Sequence, residues 1–66
     1  DLAGFTKRIL EDGALDVSRI IYELKDRHGL EVGEKEILEI LHDLAERKEI
    51  EKTEVDNLVK WQVRMK

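Results

Sequence analysis

The sequence has no cysteine and no proline, and it carries a single Phe, Tyr, Trp and Met each. Without thiols there is neither a disulfide nor a thiolate metal site, and with no mark of an oxidising compartment a cytoplasmic location is expected. No apolar run approaches the roughly 20 residues that span a bilayer, and no signal peptide opens the chain, so no membrane insertion by itself is expected. Glycine is scarce. Gly4, Gly13, Gly29 and Gly33 are spaced as helix punctuation and are not gathered into a phosphate-binding loop. Neither Ser18 nor Thr6 has a histidine at a recognisable spacing, which removes support for nucleophilic catalysis. The chain is therefore expected to be a binding module, not an enzyme, with no catalytic residue, cofactor or metal.

What is abundant is charge. Asp, Glu, Lys and Arg make up 42% of the 66 residues, and the net charge is −4. Lys and Arg counted against Asp and Glu give −1 for residues 1 to 13, −1 for 14 to 32, −4 for 33 to 51 and +2 for 52 to 66. The body is acidic and the tail basic. An acidic body is poorly placed to attract a phosphate backbone, whose contacts supply most non-specific affinity for nucleic acid. Sixty-six residues build one domain, residues 1–66, near the lower limit for a core without disulfide or metal. The chain begins at Asp1 without an initiator Met, so a domain excised from a longer protein is expected.

Residues 2 to 12, LAGFTKRILED, place Leu2, Phe5 and Ile9 on one helical face beside Leu10, with Gly13 as the closing residue. The following ALD supplies Asp16 as an N-cap for the second helix. That helix, VSRIIYELKDRH, carries a core stripe of Val17, Ile20, Ile21, Leu24 and His28 and ends at Gly29. Tyr22 lies off the stripe, with its ring against a neighbour and its hydroxyl in water. The third helix, predicted over about Glu34 to Lys48, buries Ile37, Ile40, Leu41 and Leu44. On its other side Glu36, Glu39, Asp43 and Glu46 recur at helical spacing as a band of carboxylates.

After Glu49 the apolar period changes to two. Val59, Trp61, Val63 and Met65 share one face, and Lys60, Gln62, Arg64 and Lys66 the other. Asp56-Asn57 is turn chemistry for a two-residue hairpin. That turn sets Val55 opposite Leu58, Thr53 opposite Lys60, Glu51 opposite Gln62, Glu49 opposite Arg64, and Ile50 opposite Val63. Lys52 then faces Trp61, a cation–π arrangement.

Three helices, a short strand segment between the first two, and a terminal hairpin form the element order of the winged helix-turn-helix. The runs ILEDGALDVSRIIYELK, EILEILHDLAERKEIEK and LVKWQVRM carry the resemblance, which covers the whole chain. It implies an α+β fold with three helices and a small antiparallel sheet, and a brief strand at ALD. Many winged helices bind DNA through the third helix and wing, and others bind proteins. At KEIEKTEV and LVKWQVRM the sequence also resembles the C-terminal winged helix of the archaeal ESCRT-III-like cell-division family CdvB. That resemblance implies recruitment by a short strand-forming peptide of a membrane-associated partner, CdvA, which completes the wing. LVKWQVRM stands at the position of the completing strand, so residues 58 to 66 either belong to the domain's own wing or form a detachable, partner-derived strand.

Two function classes follow. The first is a protein-interaction module that pairs strands at its wing. Val59, Trp61, Val63 and Met65 would anchor the strand, Lys60 and Arg64 would complement Glu49, Glu51 or a partner, and Ile50, Thr53 and Val55 would stand across from them. The alternative is a DNA-binding domain using Arg19, Lys25 and Arg27 with Lys60, Arg64 and Lys66; four carboxylates on the third helix oppose it. His42 and Glu39 have the Glu-x-x-His spacing of di-metal bundles, but no second such pair exists, which leaves a solvated helix face. His28 reads as a partly buried histidine at a helix end.

Overall fold

The computed structural model describes residues 1–64. Asp1 starts the first helix, α1 (Leu2–Leu10), by accepting a hydrogen bond from the Gly4 amide at 2.7 Å. Asp16 does the same for α2 (Val17–His28), its Oδ1 accepting from the Arg19 amide at 2.8 Å. Gly29, at φ +65°, closes α2 in the left-handed conformation that suits glycine. Helix α3 (Glu34–Glu46) is entered from Gly33 with Glu34 and Glu36 in its first turn, where the helix dipole favours acids.

Two helices end earlier than their patterns suggest. α1 stops at Leu10, and Glu11 and Asp12 turn towards Gly13. α3 stops at Glu46, because Lys48 adopts φ +63° and the chain folds back. The Lys48 amide donates to the Ala45 carbonyl, and the Glu49 amide to Leu44. This is a Schellman closure with lysine in place of the usual glycine.

Strands β1 (Ile50–Val55) and β2 (Leu58–Val63) pair antiparallel around Asp56-Asn57. Both turn residues have positive φ, +52° and +67°, as the type I′ geometry requires. The register is the one the turn predicts, from Val55 opposite Leu58 to Ile50 opposite Val63, and the Arg64 amide donates to the Glu49 carbonyl at 3.1 Å. Leu15, between α1 and α2, forms an isolated antiparallel bridge with Trp61. The result is an α+β domain of three helices and a two-stranded antiparallel sheet with winged-helix-like topology.

Ile9 and Leu10 of α1, Ile20 and Leu24 of α2, Ile37, Leu41 and Leu44 of α3, Ile50 of β1 and Trp61 of β2 form one core. On α1 the inward position that complements Ile9 is occupied by Thr6, not Phe5. Thr6 is fully buried, and its hydroxyl donates to the Leu2 carbonyl at 2.8 Å, a bond that lets a polar side chain enter the core. Phe5 lies at the rim, stacked on His28 with ring centroids 4.4 Å apart. Among the described residues, no helix is long and apolar enough to cross a membrane.

Candidate functional site

The geometry of the wing follows from its two-residue turn. In such a hairpin the pair flanking the turn exchanges main-chain hydrogen bonds, and alternate pairs do so thereafter. Thr53 with Lys60 and Glu51 with Gln62 therefore bond within the hairpin, as does Glu49 with Arg64. The main chains of the intervening residues point outwards. On the β2 side Trp61 uses its outward groups on Leu15, donating to the Leu15 carbonyl at 2.8 Å and accepting from the Leu15 amide at 3.0 Å. On the β1 side the outward groups belong to Ile50, Lys52 and Glu54, and the sheet has no further strand there among the described residues.

This order corrects one expectation. The basic, alternating run Leu58 to Met65 reads in the sequence as an edge element that pairs with a partner, but at Trp61 it is the inner strand, flanked by β1 and Leu15. The edge is β1. An alternating pattern tells which face of a strand is buried and nothing about which side is paired, so the distinction was not available from residues alone.

The residues proposed as partner contacts fall into three groups by burial. Trp61, at 3% exposure, and Ile50, at 1%, are core. Val63 and Thr53 are half-buried, while Lys60 and Arg64 are exposed. Val55, at 62% exposure, and Val59, at 36%, stand at the wing tip with Leu58, at 59%. These three make the tip apolar, Val55 and Leu58 on one face of the hairpin and Val59 on the other. Met65 lies outside the described residues.

The acids expected to complement Lys60 and Arg64 have other partners. Glu49 Oε1 accepts from Lys7 Nζ at 3.0 Å, and Glu51 Oε1 accepts from Gln62 Nε2 at 2.7 Å. Lys52 does lie opposite Trp61, but the ring's aromatic neighbour is His42, tilted by 52° at 5.7 Å. The cation–π contact that forms is on α2, where the Arg19 guanidinium sits 5.0 Å from the centre of the Tyr22 ring. The Trp61 Nε1 is buried without a hydrogen-bond partner.

The electrostatics of the two helices bear on nucleic acid. Glu36, Glu39, Asp43 and Glu46 are all exposed on α3. Glu39, Asp43 and Glu46 line a shallow groove of about 850 Å³ with Glu34, Lys35, Leu38 and His42, so one lysine stands among four carboxylates. The cations of α2 that a basic patch would need are already matched. Lys25 pairs with Glu31 at 3.4 Å, and Arg19 lies 3.7 Å from Glu23. Arg27 meets Asp12 at 2.7 Å and Glu23 at 3.5 Å. The hydrogen bond that Arg27 donates to Asp12 and the charge of Glu23 raise Arg27 above its usual pKa, holding it in its charged form.

No group of three or more His, Cys, Asp or Glu among the described residues is arranged to hold a metal ion. His42 is exposed and its ring lies beside that of Trp61. A scan against protein-family models and a search of curated proteins return no match.

Proposed function

We propose that the chain is a protein-interaction module that captures an extended segment of a partner protein by strand pairing along β1. The observation that carries this reading is the open edge: the exposed residues Lys52 and Glu54 direct main-chain groups away from β2, beside the exposed tip of Val55, Leu58 and Val59. An added strand gains affinity from the backbone and register from alternate side chains. The acidic face of α3 supports a protein ligand over a nucleic acid, since bringing Glu36, Glu39, Asp43 and Glu46 to a polyanion combines repulsion with desolvation.

The resemblance to the CdvB-type winged helix favours the same mode, with a strand-forming peptide as ligand and ESCRT-III-like cell-division machinery as the cytoplasmic setting. Here Leu58–Val63 already completes the hairpin, so a partner strand joins on the β1 side.

The test is Lys52→Pro. Proline lacks the amide donor, and at position 52 that amide points outward, so the internal ladder is kept while the edge is blocked. Peptides selected from a random display library on the wild-type domain are expected to protect the amides of Lys52 and Glu54 from hydrogen exchange. Lys52→Pro is expected to keep its fold and lose those peptides. Retention of binding by a folded Lys52→Pro variant overturns the reading.

A further inference from the structure

Strand edges that must stay unpaired usually carry charge, and β1 carries it in an order that does the opposite for one partner. Its residues read Ile50, Glu51, Lys52, Thr53, Glu54, Val55, and neither Lys52 nor Glu54 is in an ion pair among the described residues. Both are exposed, and both lie on the same face of the hairpin.

We infer that a second copy of this chain pairs with the first along β1, antiparallel across a two-fold axis at Thr53, so that Lys52 of each copy stands opposite Glu54 of the other. The inference rests on the same open edge as the proposed function and names a further occupant for it. Outward main-chain groups belong to Ile50, Lys52 and Glu54, so antiparallel bonding requires that these residues face one another and the axis pass through a residue. Each axis position has a different electrostatic outcome. An axis at Ile50 sets Glu49 against Glu51. Axes at Glu51, Lys52 or Glu54 set that charged residue against itself, and an axis at Val55 sets Glu54 against Asp56. Only the axis at Thr53 matches opposite charges, twice, without also setting a charged residue against a like charge.

In that register the two Lys52–Glu54 pairs are the hydrogen-bonded ones, and Thr53 meets its own copy as the closer, non-hydrogen-bonded pair, an arrangement threonines favour. The two hairpins become a four-stranded sheet. Because the strands run in opposite directions, the helices, which pack at the Ile50 and Trp61 end of each hairpin, lie towards opposite ends of that sheet. The contact is short, well below the area of a permanent dimer, so the pair assembles at high protein concentration.

Sedimentation equilibrium of the purified domain up to about 1 mM is expected to show a reversible monomer–dimer equilibrium. Lys52→Glu makes the edge wholly acidic, and Glu54→Lys makes it basic. Each variant alone is expected to lose affinity for itself by about tenfold or more, because both pairs become like-charged. Mixed at equal concentration, the two variants are expected to associate with each other, since each acidic residue again meets a lysine. Circular dichroism of each variant establishes that it is folded before the mixture is made. A wild-type domain that stays monomeric overturns the inference, as does undiminished self-association of either variant or failure of the folded pair to associate. If the wild type is monomeric while a selected peptide still protects the β1 amides, self-pairing falls and the proposed function stands. If Lys52→Pro leaves peptide capture intact, the proposed function falls on its own test.

Discussion

Leu15 and Trp61 hold each other by both main-chain hydrogen bonds, at 3.0 and 2.8 Å, across the gap between the helical body and the wing. The same tryptophan places its ring in the core among residues of all three helices and β1. One residue thus ties backbone to backbone and side chain to side chain. The wing is part of the fold and not an appendage to it.

Trp61→Ala is expected to cost about 3–5 kcal/mol, the range for emptying a buried aromatic site. That is comparable to the whole stability of a chain this short, so the variant should be largely unfolded at room temperature. Trp61→Phe keeps an aromatic ring and removes an N–H that is buried without a partner, and it should cost much less. Urea denaturation followed by far-ultraviolet circular dichroism separates the two. An alanine variant within about 1 kcal/mol of wild type would show that the ring does not hold the core together.

Three residues other than glycine occupy left-handed backbone where glycine fits without strain: Lys48 at φ +63°, Asp56 at φ +52° and Asn57 at φ +67°. Lys48→Gly should stabilise by about 1 kcal/mol, because it relieves the clash of a Cβ in that conformation. Asn57→Gly should give a smaller gain, since asparagine already tolerates positive φ. Both should appear as a raised urea midpoint at an unchanged slope.

Glu23 is buried to 6% exposure between Arg19 and Arg27, and its Oε2 has no hydrogen-bond partner. The two arginines lie at 3.7 and 3.5 Å, long for ion pairs, and Arg27 keeps a closer partner in Asp12. The cost of desolvating that carboxylate is therefore poorly offset. Glu23→Leu is expected to be neutral or to stabilise by about 1 kcal/mol, measured by thermal unfolding. A loss beyond about 2 kcal/mol would mean that Glu23 organises its neighbours more than these distances convey.

Random duplex DNA titrated at low salt should show no binding to the wild-type domain. Replacing Glu36, Glu39, Asp43 and Glu46 by lysine should create binding that falls steeply with added salt, since only the charge of the exposed α3 face has changed. Salt-sensitive binding by the wild type would revive the DNA-binding alternative.

Much of the architecture is legible in the sequence because local signals agree. Asp16 caps, Gly29 closes, and Asp56-Asn57 turns, and once the turn is placed the register of six residue pairs follows. Thr6 was not legible: its hydrophilic label hides a hydroxyl that can satisfy itself on the preceding turn. Phe5 was misleading for the converse reason, since an aromatic ring at the edge of a stripe gains cover from a neighbour such as His28 without entering the core. The acidic band on α3 was visible from spacing, and its exposure follows from the apolar stripe opposite. Which side of β2 is free depended on Leu15, a residue distant in sequence whose contribution is main-chain only, and side-chain patterns carry no trace of that.

The clasp between Leu15 and Trp61 also sets an order of events during synthesis. Leu15 leaves the ribosome long before Trp61, so the helices emerge with a gap in their shared core and an unmatched backbone segment between the first two. Translation must carry the chain through Trp61 before that gap is closed. A nascent chain paused within the wing would expose the surface that the tryptophan later covers, which makes this the interval in which the protein depends most on being left undisturbed.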